Sequence, residues 1–466
     1  MKTSIDVKGR SLVFSTPEND AEFDRIVELN EAVHGSGVRD LCRTLYGPYP
    51  LMSRDDWYAV IEPDTGRALS TLCRIPTTWT YRAPGAAVAA SVDVPAAELS
   101  IVATAEDARG LGLSSLLIRR YEADSARLGF TLSTIEGIPY FYRRFGYEYV
   151  APLCVQLRLG PGLSPREGNE RDSWRPSAPA RGMEPGGKAR LALAAEASAL
   201  GLSLREAGPA DAPALSRLFD ASNLGLGICA RRDGPLWDYL LGPGLASPET
   251  ALRRLLAYRG DRLVGYLGVC ADGFGPGWTV LEASVDPALA DGERRAVAYA
   301  FLAEAEKERA AVGAAHLVVS LSRSHELSAL ALALGADDRQ EYGWQAKVLD
   351  PVAFCRLAAP VLEARLAASA WNGSAYALTL DMYGTALRFD WDGSRLAAEN
   401  GSASGTVPGH APECGFPPEL FAPLALGYRS VADLRRLRHD VSIYGEAEAF
   451  LDALFPPTDA YVHQFI

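Results

Sequence analysis

Glu98-Leu99-Ser100-Ile101-Val102-Ala103-Thr104-Ala105-Glu106-Asp107-Ala108-Arg109-Gly110-Leu111-Gly112-Leu113-Ser114 reads as a strand, a turn of five residues and the start of a helix. The strand is predicted over Glu98–Thr104, the helix over Ser114–Leu128. Glycines at 110 and 112 let the backbone turn tightly and bring consecutive N–H groups close to an anion. A helix N-terminus adds unsatisfied donors and partial positive charge. The segment therefore has the chemistry of a pyrophosphate cradle.

Upstream of this segment the chain reads as α/β. Ser11–Phe14 is a short strand, and Thr16-Pro17 supplies an N-cap and first-turn proline for a helix through about Asn30. Trp57–Ile61 and Ala68–Cys73 are strands joined by the turn Pro63-Asp64-Thr65-Gly66. Downstream come a strand at Thr131–Ile135 and a short aromatic helix near Pro139–Arg144. Trp57 and Tyr58 read as core, His34 as a solvated loop histidine, and the charges from Glu122 to Arg127 as a solvated helix face.

Composition bounds the function. The 466 residues suffice for two or three domains, 48% are hydrophobic, and 46 Lys and Arg stand against 58 Asp and Glu, a net charge of −12. That surplus of acid argues against nucleic acid as partner, because phosphate neutralisation needs clustered cations. Met1–Lys8 has no apolar core of a signal peptide and no apolar run is long enough for a membrane span, so a cytoplasmic location and no membrane partner are expected. Seven scattered cysteines without C-x-x-C spacing read as reduced thiols, and six scattered histidines give no metal-ligand spacing, so no metal is expected.

About 30 residues beyond the glycine loop stands Tyr140-Phe141-Tyr142-Arg143-Arg144-Phe145-Gly146-Tyr147-Glu148. The two segments together resemble the GNAT superfamily of acyl-CoA-dependent N-acyltransferases. Its loop pattern Gln/Arg-x-x-Gly-x-Gly/Ala is matched by Arg109 and Gly112, with Ser114 in the last place, and Tyr-x-x-x-Gly-Phe/Tyr is matched by Tyr142, Gly146 and Tyr147. The resemblance implies acetyl-CoA as acyl donor, its pyrophosphate held at Arg109, Gly110, Leu111, Gly112, Leu113 and Ser114. The pantetheine arm would lie between the two strands, with a backbone N–H among Ile101, Val102 and Ala103 facing the thioester oxygen. Tyr142 would be the general acid. Glu98, eleven residues before Arg109, stands where several members place a glutamate base.

A second unit repeats the element order over residues 202–350, after a Pro/Gly-rich, charged linker or insert at 158–201. Its loop, Val285-Asp286-Pro287-Ala288-Leu289-Ala290-Asp291-Gly292-Glu293, has one glycine and carries carboxylates that would repel a pyrophosphate. A degenerate, non-catalytic copy that helps wall the substrate cleft is expected. A small α+β domain follows over 351–466.

The expected architecture is therefore mixed α/β, with a catalytic unit at 1–157, the degenerate unit at 202–350 and the small domain last. This order resembles the Eis-like (enhanced intracellular survival) acetyltransferases, whose last domain resembles sterol carrier proteins. That resemblance offers a rival base, the α-carboxylate of Ile466, and extends the homo-oligomeric state of such relatives to this chain. The function implied is transfer of an acetyl group to a primary amine, either a small molecule or a lysine side chain, by direct attack in a ternary complex. The alternative is a non-catalytic acyl-CoA-binding sensor. A nicotinamide-binding reading of Gly110-Leu111-Gly112 is disfavoured, since Ser115 replaces the third glycine and five residues separate strand from loop.

Overall fold

The computed structural model describes residues 2–83, 90–164, 187–271, 277–403 and 414–463. The fold is mixed α/β, built on one large twisted sheet. Its central member is the strand Ser91–Thr104, antiparallel to Ala68–Arg82 on one side and parallel to Leu132–Ile135 on the other. Both long strands extend well beyond the predicted segments, because Trp79, Tyr81, Val94 and Ala96 continue the apolar face into the core. The outer hairpin Lys2–Val7 and Arg10–Ser15, then Trp57–Ile61, completes this half.

Two strands tie the halves together. Asp337–Val348, which closes the second unit, inserts between Leu132–Ile135 and Glu148–Leu159 of the first. Glu148–Leu159 in turn pairs with Leu317–Val319 of the second unit. The sheet then runs on through Trp278–Val285, Arg262–Cys270, Arg253–Arg259 and Leu202–Glu206. The units at 1–157 and 202–350 thus exchange their last strands, which leaves neither with a free edge at the junction.

The first helix spans Asp20–His34. It starts later than Thr16-Pro17 because Asn19 caps it, its Oδ1 accepting the Glu22 N–H at 3.0 Å. Thr16 is engaged elsewhere, donating to Asp55. A further helix, Gly37–Leu45, buries Val38, Leu41, Cys42 and Leu45 at helical spacing. The helix after the glycine loop spans Leu113–Arg127, with Gly112 at its N-cap.

Most of the Pro/Gly-rich stretch lies outside the described residues, and a helix follows at Gly187–Ala199. In the second unit, Asp291–Val312 is the long helix that follows the altered loop. The last domain packs the helix Pro351–Ala367 and the antiparallel sheet Tyr376–Asp381, Ala386–Trp391 and Leu396–Asn400 around Phe354, Leu362, Phe389 and Phe450. The same core continues into Trp79, Tyr81 and Trp344 of the large sheet. Buried Arg365 fastens the junction by donating to the carbonyls of Leu454 and Arg82, at 3.2 and 2.8 Å.

After the last helix, Gly445–Leu454, the chain returns to the sheet. Ala460–Tyr461 pairs in parallel with Ile228–Ala230, which is itself paired to Ala68–Arg82. The six cysteines with described side chains are free thiols, five of them buried. Burial raises the thiol of Cys42 to about 12 and that of Cys73 far above the usual range, so neither is a nucleophile at neutral pH.

Candidate active site

Parallel pairing between the central strand and Leu132–Ile135 covers Ala96 to Glu98 and stops there. Past Glu98 the central strand carries a bulge: Ser100 pairs with Cys73 and Ala103 with Thr71, so Ile101 and Val102 face Leu72 alone. Ile101 sits at φ +49°, an unusual conformation for a β-branched residue. The two strands separate at this point, and a cavity of about 1080 Å³ opens between them. It runs from Glu98, past Ile101 and Val102, to the glycine loop.

The loop has the geometry of an anion cradle. Gly110 and Gly112 adopt φ +78° and +83°, where a side chain would be strained. The N–H groups of Gly110, Gly112, Leu113 and Ser114 have no acceptor among the described residues. Arg109 is exposed at the rim, and Lys8 donates to the Gly110 carbonyl at 2.7 Å, adding a second cation beside the loop. Arg109, Gly110, Gly112, Leu113 and Ser114 line the cavity, whereas Leu111 packs against the neighbouring core. Ala103 is buried beneath the sheet, its carbonyl accepting from Ser70, and stands off the cavity wall.

Glu98 and Tyr142 come together on this cavity although 44 positions separate them. Glu98 is almost fully buried, and burial raises its carboxyl to about 8. Tyr142 belongs to the tight turn Phe141–Phe145, entered through Tyr140 at φ +70° and left through Gly146 at φ +88°. Burial, assisted by Tyr342, raises its phenol to about 12. The Tyr142 ring lies on Gly137 so closely that a Cβ there would fall 2.2 Å from Cδ2, which is why position 137 is a glycine. Its hydroxyl has no hydrogen-bond partner among the described residues.

The exchanged strand supports this turn in a way that the sequence reading misses. Gln345 is buried and donates through Nε2 to the Gly137 carbonyl at 2.9 Å. Gln345→Leu leaves that carbonyl unpaired, at a cost of about 1–3 kcal/mol. A lower denaturant midpoint and a several-fold loss of kcat with unchanged acyl-donor affinity are expected. Lys347 on the same strand pairs with Glu122 at 2.8 Å, so Glu122 is a structural contact and not part of a solvated face.

His34 is exposed, as the solvated reading expects, although it belongs to a helix end and not to a loop. It ends the first helix, lines the cavity and hydrogen-bonds the Val102 backbone at the bulge. Partial desolvation at the cavity wall lowers its imidazole below the usual value, against the effect of that bond, so the neutral ring is favoured. Trp57 and Tyr58 are core residues, as expected.

The second unit closes the far wall with Pro248–Leu252, Leu281 and Glu282. The loop before its own long helix carries carboxylates that bind backbone: Asp286 accepts the Ala288 N–H at 2.9 Å and Glu293 accepts that of Ala290. Negative charge at Asp286, Asp291 and Glu293 would repel an anion there. Between the units lies a buried ion cluster, with Glu282 bound by Arg232 at 2.6 Å and by Arg254 at 3.0 Å. Burial opposes ionisation of Glu282, but the two guanidiniums hold its carboxyl far below the usual range.

Tyr461 also lines the large cavity and donates to the Ser320 carbonyl at 2.8 Å. Ile466 lies outside the described residues. Among the described residues there is no group of His, Cys, Asp and Glu able to hold a metal, and no helix is long and apolar enough to cross a membrane.

Residues 17–150 match the family described as an acetyltransferase (GNAT) domain. The first unit carries a GNAT domain. Similar solved structures cover almost the whole chain and share its fold. A GCN5-related N-acetyltransferase from Kribbella flavida has a TM-score of 0.62 at 16% identity, covering 98% of both chains. One from Anabaena variabilis has 0.64 at 14%, covering 98% of this chain and 100% of the other. Eis1 from Mycobacterium abscessus has 0.58 at 14%, covering 97% and 99%. No curated protein sequence matches the chain. The match places Glu98, the glycine loop and Tyr142 all inside the GNAT domain.

Proposed function

We propose that the protein is an acyl-CoA-dependent N-acetyltransferase that transfers an acetyl group directly to a primary amine. One observation carries this reading: a buried carboxyl and a buried tyrosine share a cavity that leads from a strand bulge to a helix N-terminus with free N–H groups. Those N–H groups and Arg109 suit the pyrophosphate of acetyl-CoA. The gap between the separated strands suits its pantetheine arm. The bulge frees backbone N–H near Val102 to face the thioester oxygen as it gains charge.

Glu98 takes a proton from the amine nitrogen as the C–N bond forms, and Tyr142 gives one to sulfur as the C–S bond breaks. The net result is one proton moved from nitrogen to sulfur, yielding an amide and free CoA. The raised carboxyl of Glu98 suits a base and the high phenol of Tyr142 suits an acid. The second unit, whose loop carries Asp286, Asp291 and Glu293 where a pyrophosphate would be repelled, serves as a wall.

Thermal unfolding with acetyl-CoA, CoA and NAD tests the reading. A ligand at about 100 times its Kd stabilises the native state by about 2.7 kcal/mol. Acetyl-CoA and CoA are expected to raise the midpoint, and NAD to leave it unchanged. Gly112→Glu places a carboxylate in open space beside the cradle and should abolish the shift. No shift at millimolar acetyl-CoA overturns the proposal.

A further inference from the structure

Behind Glu98 lies a second, smaller chamber of about 200 Å³. Among the described residues Glu98 alone lines both spaces, so its carboxyl separates the glycine-loop cavity from this chamber. A base that takes a proton from the attacking nitrogen must touch the acceptor on one side and leave the thioester within reach on the other. The small chamber offers a way to Glu98 separate from the cavity that holds the glycine loop.

The walls of the chamber are largely aromatic, and the buried guanidinium that also lines it, Arg232, is paired with Glu282 at 2.6 Å. Trp79 and Trp344 are buried, meet edge to face with centroids 5.8 Å apart, and both line it. Tyr49 adds a third ring, its hydroxyl already committed to the Pro76 carbonyl at 2.8 Å. The Trp344 Nε1 is likewise committed, donating to the Val462 carbonyl at 3.1 Å. These rings present apolar faces and edges on which an aromatic ligand packs favourably.

One polar atom is left over. His463 lines the chamber with 9% of its surface exposed, and its Nδ1 has no hydrogen-bond partner among the described residues. A buried nitrogen in that state costs free energy until a ligand or water pairs with it. At the mouth stand the exposed carboxylates Asp93 and Asp233, with Arg231 within 3.7 Å of Asp93. This rim can draw in one ammonium, but the interior offers no row of carboxylates for a chain of them.

Size narrows the acceptor further. Drug-sized ligands occupy about 300–1,000 Å³, and this chamber holds roughly seven waters' worth of space at ~30 Å³ each. A multi-ring aminoglycoside does not fit. A polyamine would bury charge against indole rings without counter-ions, at a high cost.

We propose that this chamber is the acceptor site and that the acceptor is a compact arylalkylamine carrying a polar hydrogen on or near its ring. The amine meets Glu98, the ring packs on Trp79 and Trp344, and the polar hydrogen is donated to His463 Nδ1. This inference rests on the acyltransferase reading. The reaction is the one balanced above, and an amine that arrives as ammonium first gives its extra proton to solvent.

The test uses the full chain with acetyl-CoA and measures amide product by mass. Tyramine, phenethylamine, spermidine, kanamycin and a lysine-containing peptide are compared as acceptors. Tyramine is expected to have the highest kcat/KM, about tenfold above phenethylamine for the added hydrogen bond. Leu51, half exposed at the mouth, offers a variant that keeps the core intact. Leu51→Trp should raise the tyramine KM about tenfold or more by narrowing the entrance and leave the acetyl-CoA thermal shift unchanged. Preference for spermidine, kanamycin or the peptide, or an unchanged KM in Leu51→Trp, overturns the inference. An acetyl-CoA shift without acetylation of either ring amine overturns the acceptor assignment alone. Absence of that shift overturns the acyltransferase reading itself.

Discussion

Glu98→Gln is expected to lower kcat/KM for amine acetylation by about 10²–10⁴-fold while leaving the thermal shift with acetyl-CoA in place. The amide keeps the shape of the side chain but cannot take a proton. The pH profile gives the sharper test. Burial raises the Glu98 carboxyl from its ordinary 4.5 to about 8, so the wild-type rate should climb with pH and level off above about 8. An acceptor that is already neutral at pH 6, such as an arylamine, keeps its own ionisation out of the profile. With that acceptor Glu98→Gln should show a flat, low rate from pH 6 to 9. A limb near 8 that survives in the variant would assign the base elsewhere.

The same carboxyl predicts a stability effect of known sign. The folded state holds the Glu98 proton more tightly than the unfolded state does. Its contribution is therefore fully present below about 4.5, is lost as pH rises through about 8, and stays lost above that. Glu98→Gln removes this dependence, so the wild type should lose more stability than the variant between pH 5 and 9. Denaturant midpoints at the two pH values measure the difference. The result is independent of any substrate and reports on burial alone.

Glu98, Tyr142 and the glycine loop were singled out from two local segments, and the structure brings all three to one cavity. Both side chains were marked by the resemblance of those segments to the GNAT pattern, in the spacing of Glu98 before Arg109 and in the run Tyr142, Gly146 and Tyr147. The bulge at Ile101 was not legible, because register depends on which residues of Ala68–Arg82 lie opposite. The exchanged strand Asp337–Val348 was missed for a related reason. Its first half is charged, its apolar alternation survives only at Trp344, Ala346 and Val348, and the contact of Gln345 with Gly137 spans 208 positions. No local pattern can reveal a partner that far away.

His34 and His463 teach the same lesson about polar residues. His34 stays exposed and His463 is buried with its apolar, aromatic terminus, but only the packing of distant elements brings each to a cavity wall. The strand pattern, in contrast, spoke correctly about Trp57 and Tyr58, which needed only an apolar strand to be placed in the core, whereas Trp79 and Tyr81 lie beyond the segment it marked. The short helices Gly37–Leu45 and Val431–Leu437 were overlooked because two turns hold too few periods to stand out from loop sequence.

Tyr142→Phe should reduce kcat by about 10²–10⁴-fold, with little change in the KM for acetyl-CoA or in stability. The ring, which packs on Gly137, Phe141 and Tyr147, is retained, and the lost hydroxyl has no protein partner to strand. A structural role for the hydroxyl would instead lower the unfolding midpoint. The role as acid also fixes the pH behaviour. With its phenol raised to about 12, Tyr142 stays protonated across the working range, so wild-type activity should show no decline from this group below about pH 10. An activated acyl donor separates acid catalysis from positioning. The phenolate released from 4-nitrophenyl acetate needs no proton, so the deficit of Tyr142→Phe should shrink by about tenfold or more with that donor, as Brønsted behaviour requires. Glu98→Gln should remain impaired with both donors, because the nitrogen must lose its proton whichever group departs. Equal deficits for Tyr142→Phe with both donors would remove the tyrosine from the proton transfer to sulfur.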